Sequence, residues 1–347
     1  MRRRALLALG AIALCRPATV LAQQPARVAR VVFAQGSLAR AQGAGRIRRV
    51  VLDGGYGEQG RARWIGWFAE LGLTEGSDFS LTILDLGDDY NNAAALEERA
   101  RAIVASRPDL VLSVGAHLAF ALKALTRDIP IVFFNYGADP VRTGLVESLR
   151  RPGGNISGTA HRLTDMVPKF WELLRELKPG GRRGSILLSE EYLAVAPHIA
   201  VFREAQAHAA AQLGIAIDEV VVAERAPFST VPPAIRKARA DYLLVVDAQF
   251  AWYPELIHFV QEAGIPAIHP SPRFVRNGGL ASVSPNLQEG ERQAAAIAVR
   301  ILRGEAPSGI PVHQATRYHT ALNQKTAAAM RLKVPPSILI RVDEVVS

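Results

Sequence analysis

The chain has 347 residues, enough for two domains of ordinary size. Apolar residues make up 49% and charged residues 21%, with mean hydropathy +0.10; this balance supplies ample core and excludes intrinsic disorder. The formal charge is +9, but four of those charges are arginines at 2, 3, 4 and 16, which leaves +5 on the remainder. No long Lys/Arg run interleaves with aromatics, so nucleic acid is not an expected partner.

Residues 1–22 read as a signal peptide cleaved near Ala22. Arg2, Arg3 and Arg4 precede an apolar run from Ala5 to Cys15, and a small residue, Ala22, comes before Gln23. The run is too short for a permanent membrane span. Cys15 follows Leu14 where a lipoprotein signal carries a small residue, so lipidation is not expected. The expected location is periplasmic. Cys15 is the single cysteine, which leaves the mature chain without a disulfide or a Cys nucleophile.

Residues 23–45, rich in Gln, Ala, Gly and Arg, read mostly as a linker, with Val31–Ala34 a possible short strand. Beyond it, short β-branched runs alternate with longer Ala/Leu/Arg/Glu segments. Strands are expected at 49–52, 81–84, 110–114 and 130–134, with helices at 59–71, 93–105 and 118–125 between them. The second half repeats the scheme. Strands are expected at 185–188, 215–222, 242–246 and 266–269, with helices at 200–213, 231–240 and 254–263. The fold class is therefore α/β: two Rossmann-like lobes with parallel sheets, joined by a hinge. The Pro- and Gly-rich stretch 149–158 marks the crossover between lobes. Such sheets bind ligands at the carboxyl ends of their strands, and paired lobes bind between them.

Gly55-Tyr56-Gly57-Glu58-Gln59-Gly60 fits G-x-G-x-x-G after an expected strand. A nicotinamide-dependent oxidoreductase is the alternative it raises. An exported chain lacks a nicotinamide pool, and Arg61 and Arg63 crowd the helix start, so the motif reads as a Gly-rich turn. There is no H-E-x-x-H, no G-x-S-x-G elbow and no phosphate-binding P-loop. No cofactor, metal or enzymatic activity is expected. A monomeric binding protein fits better.

Several segments together resemble one ABC transporter substrate-binding family, typified by the tryptophan/phenylalanine-binding proteins with the periplasmic-binding-protein type I fold. They are Gly72-Leu-Thr-Glu-Gly76, Arg107-Pro-Asp-Leu-Val-Leu112, Ile129-Pro-Ile-Val-Phe133, Asp139-Pro-Val141, Arg151-Pro-Gly-Gly-Asn-Ile-Ser-Gly158, Gly278-Gly-Leu280 and Val334-Pro-Pro-Ser337. The resemblance runs from about residue 46 to the end. It implies an N-terminal lobe of 46–141 with 272–310, and a C-terminal lobe of 142–271 with 311–347. It also implies capture of a small ligand, an amino acid or related organic molecule, by hinge closure, and delivery to an ABC permease in the inner membrane. A sensory receptor for a membrane signalling protein would share these features.

Carried over by position, the ligand-binding set in the first lobe is Asp53, Gly54, Tyr56, Gly115, Ala116, His117, Asn135, Tyr136 and Asp139. Opposite it stand Ser189, Glu190, Tyr192 and Asp247, with Ser271 and Arg273 near a hinge strand. Such a set can serve a zwitterion. Amides at the helix start near Ala116 and His117 suit a carboxylate. Asp247 or Glu190 suits an ammonium group. Tyr56, Tyr136 and Tyr192 can wall an apolar side chain. Relatives often carry Thr or Ser where Ala116 and His117 stand, and Asn-Pro where Glu190-Glu191 stand.

Overall fold

The computed structural model describes residues 29–35, 58–85, 92–115, 117–195, 199–223, 226–246, 253–315 and 317–347. In chain order the first part is β1 (Ala29–Gln35), α1 (Glu58–Glu70), β2 (Phe79–Asp85), α2 (Ala93–Ala105), β3 (Leu110–Val114), α3 (His117–Leu125), β4 (Ile131–Tyr136) and β5 (Ile156–Ala160). There follow α4 (Leu163–Leu177), β6 (Arg183–Ser189), α5 (Glu190–Val195), α6 (Ile199–Leu213), β7 (Ala216–Val222), α7 (Val231–Ala238), β8 (Tyr242–Val245), α8 (Tyr253–Glu262) and β9 (Ala267–His269). The last part is α9 (Pro272–Arg276), β10 (Ala281–Pro285), α10 (Leu287–Leu302), β11 (His313–Gln314), β12 (Tyr318–Asn323), α11 (Gln324–Ala329), α12 (Pro336–Arg341) and β13 (Glu344–Val346).

Two sheets result. The first has the order β11-β5-β4-β3-β1-β2 and the second β13-β12-β10-β9-β8-β6-β7. Every pairing is parallel except β10 with β12. Parallel strands buried on both faces need continuous apolar sequence, and β3, Leu-Val-Leu-Ser-Val, is buried at all five positions. Helix α2 shows how the local signals act. Asn92 accepts a hydrogen bond from the Ala95 amide at 3.2 Å and caps the start. Leu96, Ala100 and Ile103 form its buried stripe. Arg107, in the left-handed region at φ 49°, ends it just before Pro108.

The second sheet is locked by helix α4, whose Met166, Val167, Phe170, Trp171 and Leu174 are buried at helical spacing. The Trp171 indole lies so close to Gly184 on β6 that a Cβ there would stand 2.5 Å from the ring. Its Nε1 donates to Gln206 Oε1 on α6 at 2.6 Å, which satisfies the buried donor.

The chain passes between the sheets three times: from β5 to α4, from β10 to α10 and from β11 to β12. These passages correct the expected lobe division. The strand Ile156–Ala160 lies within the segment read as crossover and second lobe, yet it pairs with β4 in the first sheet. Its Gly158 allows this, because a Cβ there would stand 2.0 Å from the Phe133 carbonyl oxygen. Strand β10, expected with the first lobe, joins the second sheet between β9 and β12; β11, expected with the second, extends the first sheet beside β5. Helix α10 does pack on β3, β4, β5 and α1.

At the start, the short strand read at 31–34 is present and longer: Ala29–Gln35 pairs in parallel with both β2 and β3. Its Val31-Val32-Phe33 run carries the β preference that marked 31–34 within the Gln-, Ala- and Gly-rich stretch. The strand expected at 49–52 lies outside the described residues. Among the described residues, no helix is long and apolar enough to cross a membrane.

Candidate ligand-binding site

The carboxyl ends of β3 and β6 approach each other across the two sheets. At the end of β3, Gly115 takes a left-handed φ of 67° and its amide donates to the Phe134 carbonyl at 2.8 Å. That amide is therefore committed to the sheet. The turn delivers His117, 6% exposed, to the first position of α3. At the end of β6, the buried Ser189 hydroxyl accepts the Tyr192 amide at 3.0 Å and starts the short helix α5. The rings of His117 and Tyr192 then meet edge to face, with centroids 6.5 Å apart and an interplanar angle of 90°. Two candidate residues assigned to opposite lobes thus stand in contact.

The rest of the candidate set divides. Asp53, Gly54, Tyr56, Ala116 and Asp247 lie outside the described residues, as do Gly55 and Gly57 of the glycine-rich turn. Asn135 and Tyr136 end β4, so their backbone sits at the same rim as Gly115. Glu190 opens α5 and is exposed. Ser271 precedes α9 and makes no side-chain cap, and Arg273 is exposed on that helix in the second sheet's half. Neither is brought to the His117–Tyr192 contact by any hydrogen bond or ion pair seen among the described residues.

Asp139 lies in the turn after β4, as its position implies. One carboxylate oxygen accepts the amides of Val141 and Arg142, at 2.9 and 3.2 Å, and so builds the turn after β4. The other accepts from the Arg162 guanidinium at 3.3 Å. This carboxylate holds a turn and a counter-ion.

Arg162 belongs to a polar cluster that sequence reasoning missed. It lies in the first passage between sheets, with φ 26°, a conformation that costs a non-glycine residue energy. Its guanidinium contacts Asp139 on one side and Asp165, at 2.8 Å, on α4 on the other. With its amide turned, Gln314 of β11 accepts from the Arg162 Nε at 2.7 Å. Partial burial opposes the guanidinium charge, but hydrogen bonds and charge from Asp165 and Asp139 outweigh it and raise the Arg162 pKa. Beside it the His161 imidazole is pushed down to about 4 by burial. The Tyr318 hydroxyl donates to the His161 carbonyl at 3.3 Å; burial and then the Asp165 charge push that phenol up to about 12. Positions 139, 162, 165, 314 and 318 share no sequence motif. The only available signal was the abrupt change after Gly158 from an apolar strand to His-Arg.

Among the described residues, no three His, Cys, Asp or Glu side chains gather into a metal site.

The two-sheet α/β architecture, with three passages between sheets and strand ends meeting at the interface, is that of the periplasmic-binding-protein type I fold. A crystal structure of a conserved domain protein from Vibrio cholerae O1 biovar El Tor matches with TM-score 0.76 at 22% identity, covering 92% of this chain and 100% of that one. The structure of the ABC domain in complex with L-Trp from Streptococcus pneumonia matches with TM-score 0.72 at 18% identity and the same coverage. A tyrosine-binding protein from Clostridioides difficile is 24% identical over 255 residues, spanning 72% of this chain and 71% of that protein. Residues 80–346 match the model of the ABC transporter substrate binding protein family, and the chain belongs to that family. The family is one of solute-binding proteins.

Proposed function

We propose that this chain is the extracytoplasmic receptor of an ABC importer, and that it captures an amino acid or a related small organic molecule between its two lobes. The observation that carries the reading is the His117–Tyr192 contact, which brings the ends of β3 and β6 together from opposite sheets. Ligands of open α/β sheets sit at such strand ends. The tyrosine-binding relative and the L-Trp complex support an amino acid as the ligand class.

The proposed site is built from Gly115, His117, Asn135 and Tyr136 on one side and Ser189, Glu190 and Tyr192 on the other, with Asp53, Gly54, Tyr56, Ala116 and Asp247 as further members. His117 at the start of α3 offers a donor and the helix dipole to a carboxylate. Tyr192 offers an aromatic wall. Closure of the lobes, delivery to an inner-membrane permease, removal of residues 1–22 near Ala22 and a periplasmic location complete the reading. Domain limits follow the sheets, with the first passage between lobes at 161–162.

The test is calorimetric titration of the mature protein with the standard amino acids and small organic anions, paired with small-angle scattering. One ligand per monomer and a smaller radius of gyration on binding are expected. Absence of heat and of thermal stabilisation with every compound would sink the reading.

A further inference from the structure

At the lip of the interface a second contact joins the halves. Arg142, in the turn after β4, donates to Glu204 Oε2 on α6 at 2.6 Å. The turn belongs to the first sheet's half: Leu145 and Val146 pack in its core, and Lys123 of α3 donates to the Gly144 carbonyl. Helix α6 belongs to the second half, since Phe202 and Ala209 pack with α4 and β6 residues. The neighbouring Arg203 is held in a fork by Glu219, with both bonds at 2.7 Å, and does not compete for Glu204.

The pair is also wired to the hinge. The Arg142 amide donates to Asp139 Oδ1, while Asp139 Oδ2 accepts from Arg162, which in turn grips Asp165. A continuous polar chain thus runs Glu204–Arg142–Asp139–Arg162–Asp165. It starts and ends on the second half and passes through the first.

We propose that Arg142 and Glu204 are affinity-determining positioning residues, which fix how far the lobes close without belonging to the ligand-lining set. The proposal rests on the receptor reading above. Arg142 and Glu204 side chains are 51% and 67% exposed, so the pair is weak enough to break in each cycle and biases the closure equilibrium only modestly. Opening separates the two charges; closing restores them. Ligand affinity is reduced whenever the closed state is less populated. An exposed ion pair is screened by salt, so closure of the free protein must depend on ionic strength.

The experiment compares the mature wild-type chain with R142E, E204R and the charge-swapped R142E/E204R. Scattering of the ligand-free proteins is recorded at about 0.02 M and about 0.5 M salt, which span long and short screening lengths. Binding of L-tryptophan and L-tyrosine is measured in parallel. The wild type is expected to expand at high salt. Each single variant is expected to be expanded at both salts and to bind about two- to five-fold more weakly, as an exposed pair allows. The swap is expected to restore both readouts. Equal scattering of all four proteins at both salts, or a swap no better than the singles, overturns the proposal. If neither amino acid binds the wild type, the receptor reading fails on that ligand class, while the scattering still decides the pair.

Discussion

Two regions of the molecule set an arginine against carboxylates, at different depths. At the hinge, Arg162 is 32% exposed and engages Asp139, Asp165 and the turned Gln314, under the buried strand β5. At the lip, Arg142 and Glu204 are 51% and 67% exposed and touch across the halves. Water competes at the lip and much less at the hinge. The same chemistry therefore fixes the chain path in one place and biases a reversible approach in the other. A binding protein that must open and close needs a hinge that holds and a lip that yields.

The comparison can be broken first at the strand feeding the hinge. Gly158→Ala would set a methyl group 2.0 Å from the Phe133 carbonyl oxygen. Strand β5 would lose its register against β4, and the expected cost is about 3 kcal/mol or more, comparable to severe overpacking. Chemical denaturation would show it as a lowered midpoint or a failure to fold. A wild-type midpoint would remove β5 from the rigid side of the comparison.

Acid tests the burial of two imidazoles, His161 beside the hinge and His269 at the end of β9 in the second sheet. Burial depresses His269 from 6.5 to about 3 and His161 to about 4. Both folded values lie below the unfolded one, so in acid the unfolded chain binds protons that the folded chain refuses. Their stability contribution is complete above pH 6.5 and falls as the pH drops toward 4 and then 3. For His269, 3% exposed, two pH steps below 6.5 correspond to about 3 kcal/mol; His161, partly exposed by area, contributes less. Melting curves from pH 7 to pH 4.5 should shift steadily downward. The shift should shrink in His269→Gln and, to a smaller extent, in His161→Gln. An unchanged melting point across that range would mean that neither imidazole is held neutral.

Arg162→Ala sharpens the contrast. It leaves Asp139 and Asp165 facing each other across a half-buried space, at an expected cost of about 2 kcal/mol, reduced from the fully buried case by partial exposure. Arg162→Lys keeps the charge but loses the forked geometry, and should recover only part of the loss. Full recovery by lysine would show that charge alone, without the fork, holds the hinge. The smallest effect is expected at the lip. Arg142→Ala should change stability by less than about 1 kcal/mol. A loss as large as that of Arg162→Ala would erase the distinction between hinge and lip.

Much of the fold was legible because its signals are local. Asn92, the Leu96–Ala100–Ile103 stripe and Pro108 bound α2, and the unbroken Leu110–Val114 run specifies a buried parallel strand. His117 and Tyr192 were marked by the family resemblance, which carries ligand-binding positions onto the loops after β3 and β6. Strand β5 was hidden in a Gly-rich segment, because Gly158 suits a turn by propensity and suits a strand only through its approach to Phe133. Asp139 was marked for its position, and its loop geometry then turned the carboxylate toward its own backbone and Arg162.

The amino-acid sequence by itself thus determined the α/β class and the succession of strands and helices, since hydrophobic period and capping act over a few residues. Only the tertiary structure decided which sheet β5, β10 and β11 join and which charges meet. The hinge assembles from 139, 162, 165, 314 and 318 and the lip from 142 and 204, pairs that chain passage between two sheets creates and that no local pattern encodes.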